Sequence, residues 1–449
     1  MKQLEFEMDS KEILPDIIEY KWSKKTKIFI GLLISFTILL ILILVLLLIG
    51  AKKLKDDRDD YEKERNILKH EKDEYEKEIN DLNNQIENNS MIFMYYNITY
   101  ADINNPIKNT FKKGGEHYIE ELGEINNGSD YNYTYNNQYD LYIPYTATQR
   151  KEKYNRVILD IHGGAWLIGD KRYEPEAEFC KSLAKLGFIT ASMEYTFLDV
   201  EIYNNVNIYR LVDEIIAAVK NIKNFLKNEG FDENKLELCL TGSSAGAHLS
   251  LLYSYLVKNS PIPTKFIVNI VGPVTLETQN LYRVTNLDEP LDNIDQESID
   301  KALKESKIQP FKDEYLQQFI AYLNIWVGDN RIADFYEMYD NVTQTVKTDS
   351  EIYKAKLEKA KYAFPINNVE KDTIPTLCVY AGKDIDVGIG HYSLLKSYFD
   401  KKGNKNIELI YSKYSSHNVF VDPPEVKDKL FTEIYSKLLN YSDKYFSKD

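Results

Sequence analysis

The feature that most constrains this chain is Gly242-Ser-Ser-Ala-Gly246, which directly follows the apolar run Leu236-Glu-Leu-Cys-Leu-Thr241 and directly precedes a helical stretch from Ala245 to Lys258. Small residues on both sides of a serine at a strand-to-helix junction are needed where the turn is strained and two backbones pass close together. Further strands are predicted at Arg156–Ile161, Phe188–Met193, Phe266–Val271, Thr376–Tyr380 and Ile407–Tyr411, with a helix over Ile208–Asn228. Strands alternating with helices imply a mostly parallel sheet covered on both faces, an α/β fold. Helical, aromatic and acidic sequence from Pro273 to Asp372 interrupts the rhythm and is expected to be an inserted cap or lid, 273–372, within a domain spanning 91–449.

What precedes that domain has a different character. After a polar tail (1–27), residues 28–49 contain no charge over 22 positions; as a helix they reach about 33 Å, enough to cross a bilayer. The run is longer than a signal-peptide core, and Lys52 and Lys53 follow it in place of a cleavage site. A single-pass transmembrane helix is therefore expected. Lys and Arg flank it on both sides, so charge bias does not orient it. Six Asn-x-Ser/Thr sequons (Asn88, Asn97, Asn127, Asn132, Asn341, Asn440) fit a lumenal or extracellular domain. From 50 to 90 the sequence is strongly charged, with Leu54, Tyr61, Leu68, Tyr75 and Leu82 at seven-residue spacing. This predicts a helical stalk, either a coiled coil that could join copies of the chain or a single charged helix held by Glu/Lys pairs.

With 43% hydrophobic and 28% charged residues the chain is globular in composition, and its formal charge of −14 excludes a nucleic-acid binder, which needs a basic stripe. The cysteines, Cys180, Cys239 and Cys378, fall in apolar segments and form no even framework.

Chemistry centres on Ser244. A serine exposed at such a turn is inert without a base, and the chain has six histidines. His70 falls in the stalk, His117 precedes the first core strand, His162 belongs to a glycine loop, and His248 sits one turn along the helix after Ser244. His391 follows the acid region too closely to come from a later strand, though it stays an alternative. His417, in Tyr414-Ser-Ser-His-Asn-Val-Phe420, lies beyond the last strand and is the expected base. Its orienting carboxylate is expected in Gly382-Lys-Asp-Ile-Asp386, with Asp384 preferred as the first acid after the strand and Asp386 kept as the alternative. An oxyanion hole needs rigid backbone donors. The amides of Ala245, Gly164 and Ala165 are the candidates, with Gly163 shaping the turn of His162-Gly-Gly-Ala-Trp166.

Together, His162-Gly-Gly-Ala-Trp-Leu-Ile-Gly-Asp-Lys171, Glu194-Tyr195, Gly242-Ser-Ser-Ala-Gly-Ala-His-Leu249, Gly382-Lys-Asp384 and Ser416-His417 resemble the hormone-sensitive-lipase and feruloyl/acetyl-xylan-esterase-like branch of the α/β-hydrolases. The resemblance covers roughly Tyr139 to Tyr445. It implies an α/β-hydrolase fold, a carboxylesterase or deacetylase acting on a small-molecule ester with no metal or cofactor, and a triad of Ser244, Asp384 and His417. Ala165 departs from the third glycine of the lipase members, as in the esterase-like branch. Two other readings stay open: a catalytically inactive adhesion or scaffold protein on the same fold, and an amidase or formamidase using the same triad. Trp166, Trp326 and the aromatic residues of the insertion are candidates to line a substrate pocket.

Overall fold

The computed structural model describes residues 91–102, 104–124, 137–198, 206–276, 282–284, 296–305, 308–310, 313–328 and 332–448, with scattered positions between 62 and 80. Contacts divide the chain into units at Met1–Glu76 and Lys77–Asp449. The membrane crossing expected of 28–49 lies outside the described residues, as does most of the expected stalk, whose described positions are helical and include a Lys72–Glu76 pair at 3.5 Å. Among the described residues no helix is long and apolar enough to cross a membrane.

The larger unit is built on one eight-stranded sheet. Its strands are β1 (Ile92–Ala101), β2 (Asn137–Pro144), β3 (Arg156–Ile161), β4 (Ile189–Met193), β5 (Glu237–Ser243), β6 (Thr264–Ile270), β7 (Thr376–Ala381) and β8 (Ile407–Ser412). They lie in the order β1-β2-β4-β3-β5-β6-β7-β8. From β4 to β8 every pairing is parallel, and β1 and β2 add an antiparallel edge. The fold is thus an α/β-hydrolase-like one with a mostly parallel central sheet, as the sequence pattern predicts, the six expected strands shifting by no more than two residues at either end.

The core strands alternate between two apolar layers. Val157, Leu159 and Ile161 of β3 and Leu238 and Leu240 of β5 enter one cluster, while Ile158 and Cys239 enter the other. A period of two with both faces covered is why these strands read as unbroken apolar runs. The first layer is closed by α2 (Ile208–Asn228) and α3 (Ala245–Leu256), the second by α1 (Glu174–Lys185) and the C-terminal helix α9 (Pro424–Tyr445). All three cysteines are buried and free.

Between β6 and β7 lie α4 (Gln296–Lys304), α5 (Asp313–Trp326), α6 (Ile332–Met338) and α7 (Glu351–Ala360), with two small antiparallel pairs. Within this insertion Lys356 and Asp334, each 4% exposed, pair at 3.0 Å and tie α7 to α6. Helix α8 (Gly390–Lys401) then joins β7 to β8.

The junction of β5 with α3 is closely packed against the end of β3. A Cβ on Gly242 would lie 2.4 Å from the Ile161 carbonyl oxygen, and one on Gly246 only 1.8 Å from it. Nothing there can yield without moving backbone. Gly246→Ala is therefore expected to lower stability by about 1–3 kcal/mol or more, read as a fall in the denaturant unfolding midpoint with unchanged slope.

Candidate active site

Ser244 stands at the turn between β5 and α3 with φ 49° and ψ −115°, outside the conformations comfortable for a residue bearing a Cβ. Its amide donates to the Ile270 carbonyl at 2.9 Å and its carbonyl accepts from His248 N at 3.0 Å, so the strained residue is fixed on both sides. The hydroxyl lies 3.0 Å from Nε2 of His417, whose Nδ1 lies 2.8 Å from Oδ2 of Asp384. The other Asp384 oxygen accepts the backbone N–H groups of Asp386 at 2.9 Å and Val387 at 3.0 Å. Asp384 extends from the loop after β7 and His417 from the loop after β8, so three loops at the carboxyl ends of neighbouring parallel strands converge.

Asp386, the alternative acid, has a carboxylate oxygen within 4.8 Å of the Asp384 and His417 ligand atoms, but the hydrogen bond to the imidazole is made by Asp384. Burial of the His417 ring disfavours its charged form; the charge of Asp384, its hydrogen bond and the charge of Asp386 outweigh this, and the pKa is raised above 6.5. His391, the alternative base, is buried, and its Nδ1 accepts the Val274 N–H at 3.2 Å; burial pushes its pKa down to about 3. His248 donates from Nε2 to the Ala363 carbonyl at 2.9 Å and is likewise held neutral by burial, at about 4.

The glycine loop after β3 crosses beside Ser244. Gly164 has φ 111°, and Ala165 and Trp166, at 52° and 62°, share its left-handed region. A Cβ on Gly164 would lie 1.8 Å from the Ile168 carbonyl oxygen, whose own amide donates back to the Gly164 carbonyl at 3.0 Å. Among the described residues no hydrogen bond takes up the amide of Gly164 or Ala165. The Ala245 amide, in the first turn of α3, has no intrahelical acceptor. Gly163 lies beside the Glu176 carboxylate, whose charged form its amide favours. His162 is a strut under the loop, with Nδ1 donating to the Gly163 carbonyl at 2.7 Å and Nε2 to Glu194 at 3.2 Å, and its ring stacked on Tyr195 at 4.3 Å. Its burial opposes charge, but the Glu194 hydrogen bond and charge and the Gly163 carbonyl prevail, and its pKa is raised.

These groups face a cavity of about 460 Å³ whose wall includes Gly163, Gly164, Ala165, Ser244 and His417. Trp166 and Leu276 line it, joined by Phe319 and Tyr322 from α5, so the insertion between β6 and β7 helps to enclose the site. Trp326 does not line it. That ring is fully buried, edge-on to Trp166 at 4.9 Å and stacked on His248 at 4.6 Å, and serves as packing between insertion and loop. Two residues that sequence reasoning passed over are Glu176 and Gly169. A Cβ on Gly169 would lie 2.2 Å from His162 Nδ1. Only the second has a local sign, as the closing glycine of the loop.

Residues 139–399 match the family model described as BD-FAE. A search of curated proteins finds no match. Solved structures with a similar course of the chain include a truncated carbohydrate esterase from gut microbiota (15% identity, TM-score 0.45, 77% of this chain and 95% of that one). Esterase B from Lactobacillus rhamnosis (16%, 0.44, 79% and 89%) and an esterase from Pyrobaculum calidifontis (16%, 0.46, 82% and 92%) are others.

The raised His417 pKa has a kinetic consequence, because a base must be neutral to accept a proton. The kcat/KM of any Ser244-dependent reaction should fall as pH drops through a value above 6.5. Asp386→Asn removes one of the charges favouring the imidazolium, so the acid limb of the pH–rate profile should move to lower pH; an unmoved limb counts against that coupling.

Proposed function

We infer, for a chain that belongs to the BD-FAE family of α/β-hydrolase-type esterases and is a carboxylic-ester hydrolase, that hydrolysis runs through an acyl-enzyme on Ser244. The observation that carries this reading is the unbroken hydrogen-bonded line from Ser244 Oγ through His417 to Asp384. His417 Nε2 takes the hydroxyl proton as Oγ attacks the ester carbonyl carbon. Negative charge developing on the carbonyl oxygen is met by the amides of Gly164, Ala165 and Ala245, each such donor being worth on the order of 3 kcal/mol in the transition state. Collapse releases the alcohol, which leaves with the proton from His417. Water then attacks the acyl-enzyme, gives its proton to His417, and frees the acid as Ser244 is reprotonated. Asp384 holds Nδ1–H toward itself, keeping Nε2 free to accept, and offsets the charge of the imidazolium.

The cavity volume of about 460 Å³ and its aromatic and aliphatic wall support a small ester with a short to medium acyl chain. For the full chain, a fluorophosphonate probe should label wild type and leave Ser244→Ala unlabelled, with kcat on a short chromogenic ester falling roughly 10⁴- to 10⁶-fold in that variant. Equal labelling of both proteins sinks Ser244 as the nucleophile, and no labelling of wild type returns the chain to the reading as an inactive scaffold. A panel pairing esters with matched amides and formamides decides which acyl bond is cut.

The charge-free run of 22 residues at 28–49 supports a membrane tether, with the charged segment 50–90 spacing the hydrolase from the bilayer. The full chain should stay in the membrane pellet through alkaline carbonate and be released by detergent. Glycosidase-sensitive mass at exposed sequons such as Asn341 or Asn440 would place the hydrolase on the lumenal or extracellular side. Release by carbonate alone sinks the tether.

A further inference from the structure

Glu176 stands in the first turn of α1, just after Pro175, and is 6% exposed although it contributes to the wall of the active-site cavity. A carboxylate so placed needs hydrogen-bond donors. Ser243, the residue before the nucleophile, donates its hydroxyl to Glu176 Oε1. Gly163, in the oxyanion loop, lies beside the same carboxylate, and its backbone N–H favours the charged form.

The opposite face of that loop is fixed as well. The Gly163 carbonyl accepts from His162 Nδ1 at 2.7 Å and from Tyr195 Oη at 3.2 Å. The Gly163 carbonyl is therefore fixed by two donors, beside the Glu176 carboxylate. The loop packs directly on the residue before the nucleophile, for a Cβ on Gly163 would lie 2.9 Å from Ser243 Oγ and 3.2 Å from the Ser243 carbonyl oxygen. Immediately afterwards Gly164, Ala165 and Trp166 take φ values of 111°, 52° and 62°. Non-glycine residues in that region are strained and persist only where the surroundings over-determine them. An anchor is required just upstream, and the Glu176 carboxylate supplies it.

We propose that Glu176 is a positioning residue that clamps the oxyanion loop to the nucleophile elbow, fixing the Gly164 and Ala165 amides relative to Ser244 Oγ. This role rests on the esterase reading of Ser244 and concerns a residue outside the triad. A carboxylate suits it because both neighbours are donors. A glutamine can still serve, since its Oε1 can keep accepting from the Ser243 hydroxyl. An alanine leaves that hydroxyl without its acceptor.

The test compares wild type, Glu176→Ala, Glu176→Gln and Ser243→Ala in the full chain. Steady-state kinetics on a short chromogenic ester is paired with amide hydrogen exchange over residues 162–168. Loosening the loop should lower kcat about 100-fold in Glu176→Ala, with KM within about twofold, because oxyanion contacts form in the transition state and not on binding. Glu176→Gln should recover most of that loss, and Ser243→Ala should fall between them. Exchange at 162–168 should quicken in Glu176→Ala while the strands of the central sheet keep their protection. Wild-type kcat for a well-folded Glu176→Ala, a loss confined to KM, or a Gln variant as poor as Ala each overturns the clamp. Should Glu176→Ala fail to fold, wild-type kcat in both Glu176→Gln and Ser243→Ala overturns it. Wild-type turnover alone reports on the esterase reading, and the exchange comparison needs no turnover, so the two claims fail separately.

Discussion

The close approach of the β5–α3 turn to the end of β3 is the constraint on which the rest of the site depends. Without side chains at Gly242 and Gly246 the turn can lie against the Ile161 carbonyl, and only there can Ser244 be held at φ 49° with its hydroxyl projecting from the sheet edge. The same contact brings the loop after β3 alongside Ser244, so the serine and the glycine-loop amides are placed by one packing event. The strain at Ser244 is carried by bonds on both sides of it, to Ile270 and from His248.

Beside that contact several polar groups hold the glycine loop. His162 and Tyr195 bond it, Glu194 bonds His162, Glu176 bonds the adjoining Ser243, and Trp326 packs Trp166 from the insertion side. Preorganised donors accelerate acyl transfer because they need no reorganisation as charge develops. A loop with consecutive left-handed residues would otherwise relax, and under the proposed acyl-enzyme mechanism its supports serve the reaction by holding those amides in place.

Much of this was legible in the sequence. The core strands and α2 declare themselves through apolar runs and helical period, and Gly242–Gly246 is recognisable because a strained strand-to-helix turn permits few residue types. His417 emerged by elimination among six histidines, five of which had other placements along the chain. The preference for Asp384 over Asp386 followed the strand end, and the bond to His417 Nδ1 lies on that residue. The insertion was visible only as a break in rhythm. Its aromatic residues could not be sorted in advance, and Trp326 turned out to be packing while Phe319 and Tyr322 reach the cavity.

By itself, the sequence determined the elements, their parallel arrangement and the residue types able to transfer an acyl group, because periodicity and turn chemistry are local properties. Only the tertiary structure decided that Glu176 bonds the residue before Ser244 and sits beside the glycine loop, while the Gly164 and Ala165 amides are left without a hydrogen-bond acceptor among the described residues. Glu176 is 67 residues from Ser243, and no local pattern marks it. Its role exists only once α1 folds back across the sheet and a buried carboxylate must find its donors.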